Sequence, residues 1–263
     1  MIGIIGTGNM GSALINGAVK TFGKDDTVFF DTSEERRKLI SYEYGIMACK
    51  NNTELVKFSD IIVLAVKPQV IFNVLSEIKD AMLNTEKTVI SIAPGITIGK
   101  LNEVLGNNAQ IVRVMPNTPA MVGAGMAAVA FSENFTGDRE NTLKLFESVG
   151  RAVELPESLM DAAVVANGSS PAFVFMFIEA MADGAVKFGI PRNKAYEMVA
   201  QTVLGSAKLM LDTGKHPGEL KDAVCSPGGT TICGTAALEE NNFRGSILKA
   251  CEAVYEKTTV LGK

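Results

Sequence analysis

The chain has 263 residues, 47% of them hydrophobic, so it can form one large domain or two modest ones. Its formal net charge of −4 at pH 7 argues against nucleic-acid binding. Its four cysteines form no CxxC pair, which is typical of a cytoplasmic protein with reduced thiols, and its single histidine excludes any site that needs two. We expect no targeting segment, because a strand-like run begins at Ile2, and no membrane span, because the most apolar stretch, Ala172 to Met181, is too short for a bilayer.

The first half of the chain alternates short runs rich in Ile and Val with helical patterns. Alternating βα units of this kind predict a parallel sheet that is covered by helices on both faces. The predicted strands are 2–5, 27–31, 61–66, 88–92, 110–114, 126–131 and 151–155. The predicted helices of this half are 12–21, 33–44, 70–83, 97–105 and 138–149.

After Leu155 the strand signals stop, and helical patterns continue to the C-terminus. Pro156 breaks the chain, and helices are predicted over 170–188 and 191–212, around 219–224, and twice more from about Thr230 onward. We therefore expect two domains, one over residues 1–156 and an all-α domain over 157–263.

The helix predicted over 170–188 is apolar on every face, which requires burial on all sides. A domain of roughly 100 residues can hardly supply that burial alone, so we expect an obligate homodimer or a larger assembly of dimers. The apolar residues are Phe173, Phe175, Met176, Phe177, Ile178 and Met181.

A glycine-rich segment joins the first predicted strand to the first predicted helix and has the pattern G-x-G-x-x-G. Its residues are Gly6, Thr7, Gly8, Asn9, Met10 and Gly11. Gly6 allows a tight turn, Gly8 lets a diphosphate approach the backbone, and Gly11 lets helix and strand pack closely. Because the segment lies in the first βα turn, a dinucleotide site is favoured over a merely tight turn. The N-terminal domain is therefore predicted to be a Rossmann-type doubly wound sheet.

The residues at the end of the second predicted strand leave the choice between NADH and NADPH open. Asp31 stands where an acid accepts hydrogen bonds from the adenosine 2′- and 3′-hydroxyls and repels a 2′-phosphate, which favours NADH. Thr32, Ser33, Arg36 and Arg37 follow it, and such residues can hold a 2′-phosphate. The two arginines can equally form a solvated helix face, which is the simpler interpretation.

Further turns follow the neighbouring strands, where open α/β sheets bind their ligands. The turn at residues 65–68 is predicted to face the cofactor, although Lys67 within it could be a plain surface charge. Ala93 has the corresponding place after the next strand. After the following strand, two prolines surround Asn117 and Thr118. These prolines either aim short polar groups at the place of the nicotinamide, which makes Asn117 a candidate substrate-binding residue, or form a rigid crossover. The first of these turns consists of Ala65, Val66, Lys67 and Pro68.

The segment 222–232 ends one predicted helix, turns through Ser-Pro-Gly-Gly and begins another helix. Free N–H groups at that start, with the hydroxyls of Ser226, Thr230 and Thr231, predict a small anion site that suits a carboxylate. Ordinary N-capping by a threonine would account for only one of the three hydroxyls. His216 is expected to pack beside Pro217 in a turn without a catalytic role.

The motifs GTGNMG, AVKPQ, RVMPNTPA, NGSSPAF and DAVCSPGGTTICG resemble, in order and spacing, those of pyrroline-5-carboxylate reductases over essentially the whole chain. The resemblance implies that the first domain binds NADPH or NADH, that the helical domain dimerises, and that the active site lies between them at the dimer interface. It implies that Ser226, Gly229 and Thr230 hold the substrate carboxylate and that Thr231 places its hydroxyl near the imine nitrogen. It also implies that Asn52 contacts the adenosine portion of the cofactor.

The chain departs from this family at a few positions. Asn167 and Phe173 stand where relatives often have Ser and Tyr, and Pro94 stands where Ala is usual. Asp31 matters most, because many relatives prefer NADPH and lack an acid there.

The implied reaction suits a chain with few titratable groups. Hydride attack on carbon 5 of a protonated cyclic imine neutralises an existing cation, so the site must position the ring and place a hydrogen-bonding group near nitrogen. Two rival functions are considered. A β-hydroxyacid dehydrogenase would need a lysine in the second domain, for which Lys187 is the candidate, and a non-catalytic NAD(P)-binding sensor would need no carboxylate pocket.

Overall fold

The computed structural model describes residues 1–83, 85–106 and 109–261. The chain divides into two compact units, Met1–Pro171 together with Val254–Lys263, and Ala172–Ala253. These units are compact bodies in space, whereas the predicted boundary after residue 156 concerns functional domains and stays a prediction.

The first unit contains a sheet in which the strand order is β3-β2-β1-β4-β5-β6-β7-β8. Neighbouring strands are parallel except for β6 and β7, which pair antiparallel. The seven predicted strands are confirmed within two residues at their ends, and a two-residue strand, β3, was not predicted. The strands are β1 (Ile2–Ile5), β2 (Thr27–Phe30), β3 (Met47–Ala48), β4 (Ile61–Leu64), β5 (Thr88–Ser91), β6 (Gln110–Met115), β7 (Gly125–Phe131) and β8 (Gly150–Glu154).

Helices cover both faces of this sheet, as predicted for a doubly wound fold. Successive residues of one strand belong to different cores: Ile62 packs with α3, α4 and α5, and Val63 packs with α1 and α6. Ser33 accepts a hydrogen bond from the Arg36 amide and caps α2, as expected from the sequence. The helices are α1 (Asn9–Phe22), α2 (Glu34–Tyr44), α3 (Asn52–Phe58), α4 (Pro68–Met82), α5 (Ile98–Leu105) and α6 (Arg139–Glu147).

A continuous helical run follows β8 over residues 157–187. It begins with a 3₁₀ turn, continues through α7 (Met160–Ala163) and a π-helical turn (Val164–Gly168), and ends in α8 (Ser170–Lys187). Among the described residues it is the single run long and apolar enough, by length and composition, to cross a membrane. Length and composition alone are weak evidence for a span, because core helices of soluble proteins meet the same criterion.

The second unit is helical and has a small core of its own. Ala182, Ala195 and Val199 are buried there, whereas large apolar side chains such as Met176 and Leu204 are 68% and 57% exposed in the single chain. Gly214, in the left-handed region, ends α9. The remaining helices are α9 (Arg192–Thr213), α10 (Pro217–Val224), α11 (Thr230–Glu240) and α12 (Phe243–Leu261).

Candidate functional site

The glycine-rich loop is closely packed against the end of β4. Gly6 has a φ of +95°, and a Cβ there would lie 2.6 Å from the Ala65 carbonyl oxygen. A Cβ at Gly11 would lie 2.0 Å from the Gly6 carbonyl oxygen. Both positions therefore require glycine, one for the tight turn and one for the close packing of α1 against β1.

The first turn of α1 can receive an anion. Gly8 is the N-cap residue, no side chain caps the helix, and no acidic residue lies in its first turn. A Cβ at Gly8 would meet no atom within 4 Å, so the approach to the backbone is open. The free N–H groups and the positive end of the helix dipole suit a diphosphate. The residues present therefore fit the diphosphate of a dinucleotide.

The Asp31 carboxylate is tied into this loop. One of its oxygens accepts hydrogen bonds from the Thr7 amide and the Thr7 hydroxyl, both at 2.8 Å, and the other accepts from the Ser33 amide at 2.9 Å. Burial alone would raise the pKa of Asp31, but these hydrogen bonds and the nearby Arg36 charge outweigh it and lower the pKa. Asp31 is therefore ionised at neutral pH.

Two arginines of α2 surround the end of β2 and are not simply solvated. Arg36 donates to the Thr7 carbonyl oxygen and, at 2.9 Å, to the Ser12 hydroxyl. Arg37 donates to the carbonyl oxygen of Asp31 at 2.6 Å and lies over the Phe30 ring, with 5.5 Å between the guanidinium carbon and the ring centroid. The interpretation of these arginines as a solvated helix face is wrong, because both are partly buried and bonded to the backbone.

The predicted cofactor residues of the next two strands lie at the same edge of the sheet. The Ala65 amide donates to Ile5 at 2.8 Å, and Lys67 is an exposed N-cap residue followed by Pro68 in the first turn of α4. Ala93 is buried, and its amide donates to the Ser91 hydroxyl at 3.3 Å. The structure thus brings the residues at 65–68 and Ala93 together with the glycine-rich loop.

Asn52 begins α3, directly after β3. Its side-chain amide donates to Glu77 at 2.6 Å, and its Oδ1 atom is buried without a hydrogen-bond partner in the part of the chain that the structure describes. A buried acceptor without a donor is unusual and is consistent with a ligand contact. The contact with adenosine stays a prediction.

Asn117 holds the loop after β6 through bonds within the protein. Its Oδ1 atom accepts from the Met126 amide at 2.8 Å, and its Nδ2 atom donates to the Asn167 carbonyl oxygen at 3.1 Å. Asn167 in turn donates from Nδ2 to the carbonyl oxygens of Met115 and Met126, at 2.8 and 2.9 Å. This network is typical of a rigid crossover, and a substrate contact by Asn117 stays a prediction.

Two residues of this region were not identified as structurally important from the sequence. Asn167 was noted only as a departure from the family, although a buried amide in a π-helical turn is a common feature of functional regions. Arg113 is buried on β6 and pairs with Asp161 at 2.7 Å and with Glu157 at 3.6 Å. Glu157 also accepts from the amide of Ile98, the first residue of α5, at 2.6 Å. A charged residue inside an apolar strand was the available signal.

The predicted carboxylate site lies in the second unit, where α10 turns into α11. Gly228 has a φ of +69°, and Gly229, whose amide donates to the Ser226 carbonyl oxygen at 3.0 Å, is the N-cap of α11. Because the N-cap residue is a glycine, N-capping by a threonine does not explain the hydroxyls. Those of Ser226, Thr230 and Thr231 are exposed, and within the described residues none of them has a hydrogen-bond partner.

The single histidine has a structural part in the same unit. The Nδ1 atom of His216 accepts from the Gly218 amide at 3.1 Å and caps α10 beside Pro217. Its position is as expected from the sequence. Within the described ranges, no three His, Cys, Asp or Glu side chains are grouped so that they could hold a metal ion.

Comparison with known proteins connects both parts of the chain to one kind of enzyme. Residues 157–261 match the family model "Pyrroline-5-carboxylate reductase dimerisation", and residues 1–95 match "NADP oxidoreductase coenzyme F420-dependent". The pyrroline-5-carboxylate reductase of Escherichia coli (strain K12) is 44% identical, over 100% of this chain and 98% of that protein. That of Methanosarcina acetivorans is 45% identical over the same shares.

Solved structures give the same result. The pyrroline-5-carboxylate reductase from Coxiella burnetii superposes with a TM-score of 0.95 at 31% identity, covering 100% of this chain and 98% of that one. The Plasmodium falciparum pyrroline carboxylate reductase with NADP bound has a TM-score of 0.88 at 35% identity, with the same coverage. The similarity therefore extends over both units and 98% of the length of these enzymes.

Proposed function

The chain belongs to the pyrroline-5-carboxylate reductase family of NAD(P)H-dependent oxidoreductases, and on that premise we propose that it reduces 1-pyrroline-5-carboxylate to L-proline, the last step of proline biosynthesis. The observation that carries the proposal is the turn before α11. It offers the N–H groups of a helix start and three hydroxyls without a partner among the described residues, in a chain whose other unit has an open dinucleotide loop. A carboxylate is the group that such a turn recognises.

The proposed division of work follows from these positions. Ser226, Gly229 and Thr230 bind the substrate carboxylate, and Thr231 provides the hydroxyl near the imine nitrogen. NADH or NADPH, when bound, supplies the hydride. The positive charge on the protonated imine disappears as the carbon is reduced, so no side chain has to donate a proton in that step. The chain positions the ring and excludes water.

We also propose that the protein works as a homodimer or an assembly of dimers. The apolar side chains that stay exposed in the second unit support this, because a single chain would leave a surface of that kind in water. Residues 157–261, which include the apolar run of α8, match the dimerisation model. A second copy, rather than a membrane, is the proposed cover for that run.

The remaining assignments are part of the same proposal. Residues 1–156 form the dinucleotide-binding domain, and residues 157–263 form the dimerisation and substrate domain. The protein is cytoplasmic and does not bind nucleic acid, which its net charge of −4 supports.

The test is a spectrophotometric assay at 340 nm with pyrroline-5-carboxylate, run with NADH and with NADPH. The natural chain should oxidise at least one of them. Thr231→Ala should lower kcat by about tenfold to a hundredfold, the range for losing a hydrogen bond to a charged group. Thr235→Ala is the matched control, because the Thr235 hydroxyl bonds to the Ile232 carbonyl oxygen within α11. The proposal is wrong if folded protein binds the cofactor but oxidises neither form with this imine.

A further inference from the structure

The end of β2 carries a negative charge that faces the glycine-rich loop. The Asp31 carboxylate accepts three hydrogen bonds, two of them from Thr7, which lies between the first two glycines of the loop. These bonds orient the carboxylate and keep it ionised. In a doubly wound dinucleotide domain, an acid at this place accepts a hydrogen bond from the ribose 2′-hydroxyl.

The positive charges nearby are already bonded to the protein. Arg36 donates to the Thr7 carbonyl oxygen and the Ser12 hydroxyl, and Arg37 donates to the carbonyl oxygens of Asp31 and Thr32. To hold a 2′-phosphate, either guanidinium would have to exchange these bonds for new ones. The phosphate would also have to lie beside the carboxylate, where like charges repel each other.

We propose that Asp31 determines the cofactor specificity, so that the protein binds NADH in preference to NADPH. A 2′-hydroxyl can donate to the remaining lone pair of the carboxylate, on Oδ1, whereas a 2′-phosphate meets a fixed negative charge. The inference rests on the proposed function only in so far as the glycine-rich loop binds the cofactor.

The expected effect follows from the charge on the carboxylate. Two like charges at about 5 Å, with an effective dielectric constant of about 40, repel each other enough to weaken binding roughly tenfold. Since a 2′-phosphate carries more than one charge, tenfold is the minimum expected for the natural chain. Removing the charge should recover about that factor.

Two cofactor fragments test the inference without turnover. Calorimetric titration with 5′-AMP and with adenosine 2′,5′-bisphosphate measures the effect of the 2′-phosphate directly. The natural chain should bind 5′-AMP at least about tenfold more tightly than the bisphosphate. Asp31→Asn, which keeps the size and one acceptor oxygen, should reduce that ratio by about tenfold. Glu35→Gln, which removes the same charge from an exposed side chain of α2, should leave the ratio unchanged.

The outcomes separate this inference from the proposed function. If the natural chain binds the bisphosphate as tightly as 5′-AMP or more tightly, the inference is wrong and the arginines hold the phosphate. That result needs no variant, so it stands even if Asp31→Asn fails to fold. Imine reduction with kcat/KM higher for NADPH would contradict the inference and leave the reductase assignment intact. The expected ratio of fragment affinities without any imine reduction would support the inference and contradict the reductase assignment.

Discussion

Replacing Asn167 by leucine should loosen the loop that follows β6, while the shape of the side chain is nearly kept. The Asn167 side chain donates to the carbonyl oxygens of Met115, the last residue of β6, and Met126, near the start of β7. The backbone carbonyl oxygen of Asn167 accepts a hydrogen bond from the side chain of Asn117, which lies in the loop between these strands. The side-chain amide of Asn167 therefore connects both ends of the loop to the π-helical turn, and its backbone holds the middle of the loop through Asn117.

The magnitude can be worked out from these contacts. Leucine would leave two partly buried carbonyl oxygens without those donors, at roughly 1–3 kcal/mol each, the lower end applying because they are partly exposed. It would also remove the buried Oδ1 atom of Asn167, which has no partner in the described residues and whose loss returns part of that cost. A net destabilisation of about 2 kcal/mol is expected, which lowers the melting temperature of a chain this long by about 4–8 °C.

Calorimetry at a fixed protein concentration measures the melting temperature, since association of copies would also change it. Asn193→Leu is the control, because Asn193 is exposed on α9 and has no hydrogen-bond partner among the described residues. Combining Asn167→Leu with Asn117→Ala should cost less than the sum of the two single changes, because both remove the same network. An unchanged melting temperature for Asn167→Leu, or strictly additive changes in the pair, would refute the reasoning.

Three further predictions concern the first unit. Asp161→Asn should lower the free energy of urea unfolding by about 2–4 kcal/mol, because the buried Arg113 would lose the negative charge that lies 2.7 Å away. The partial exposure of Asp161 keeps the loss below that of a fully buried pair. Gly11→Ala should weaken NADH binding at least about tenfold with an unchanged far-ultraviolet circular dichroism spectrum, since its Cβ would displace the Gly6 carbonyl oxygen that shapes the loop. Burial raises the pKa of Cys49 to about 11, so this thiol should resist alkylation at pH 8 until the protein is unfolded. The free energy of unfolding should fall as the pH rises from 9 towards 11, because in that range the thiol ionises only in the unfolded chain. Mass spectrometry of alkylated peptides checks the first part of that prediction, and unfolding at several pH values checks the second.

Strands β1, β4, β5 and β6 could be predicted because each contains Ile and Val and is buried along nearly its whole length. β3 was missed because a two-residue strand has no periodicity. α3 was missed because it is only seven residues long. Its N-cap was the available signal, since the Asn51 side chain accepts a hydrogen bond from the Glu54 amide and asparagine is common at the start of helices. In each case the local signal was short, and the packing of the sheet decided the structure.

The site could be predicted only where its residues are close in sequence. The conformations of the loop at 6–11 and of the turn at 226–231 are each determined by residues within the segment, so the spacing of glycines and hydroxyls was informative. Asn167 bonds to Met115, and Arg113 pairs with Asp161 across 52 and 48 residues, and no local pattern contains either pair. The interpretation of Arg36 failed for the same reason, because its partners are Thr7 on the loop after β1 and Ser12 in the first turn of α1.

The polar groups of the two predicted sites differ in whether they have partners within the protein. Asp31, Asn117 and Asn167 form hydrogen bonds with backbone groups. These bonds fix the loops before a ligand binds and so reduce the conformational entropy that is lost on binding. Thr230 and Thr231 make no such bonds in the described structure, and an exposed hydroxyl at the first turn of a helix gains most when an anion binds there. A change in a group of the first kind should therefore alter stability and binding together, whereas a change at Thr231 should alter turnover at constant stability.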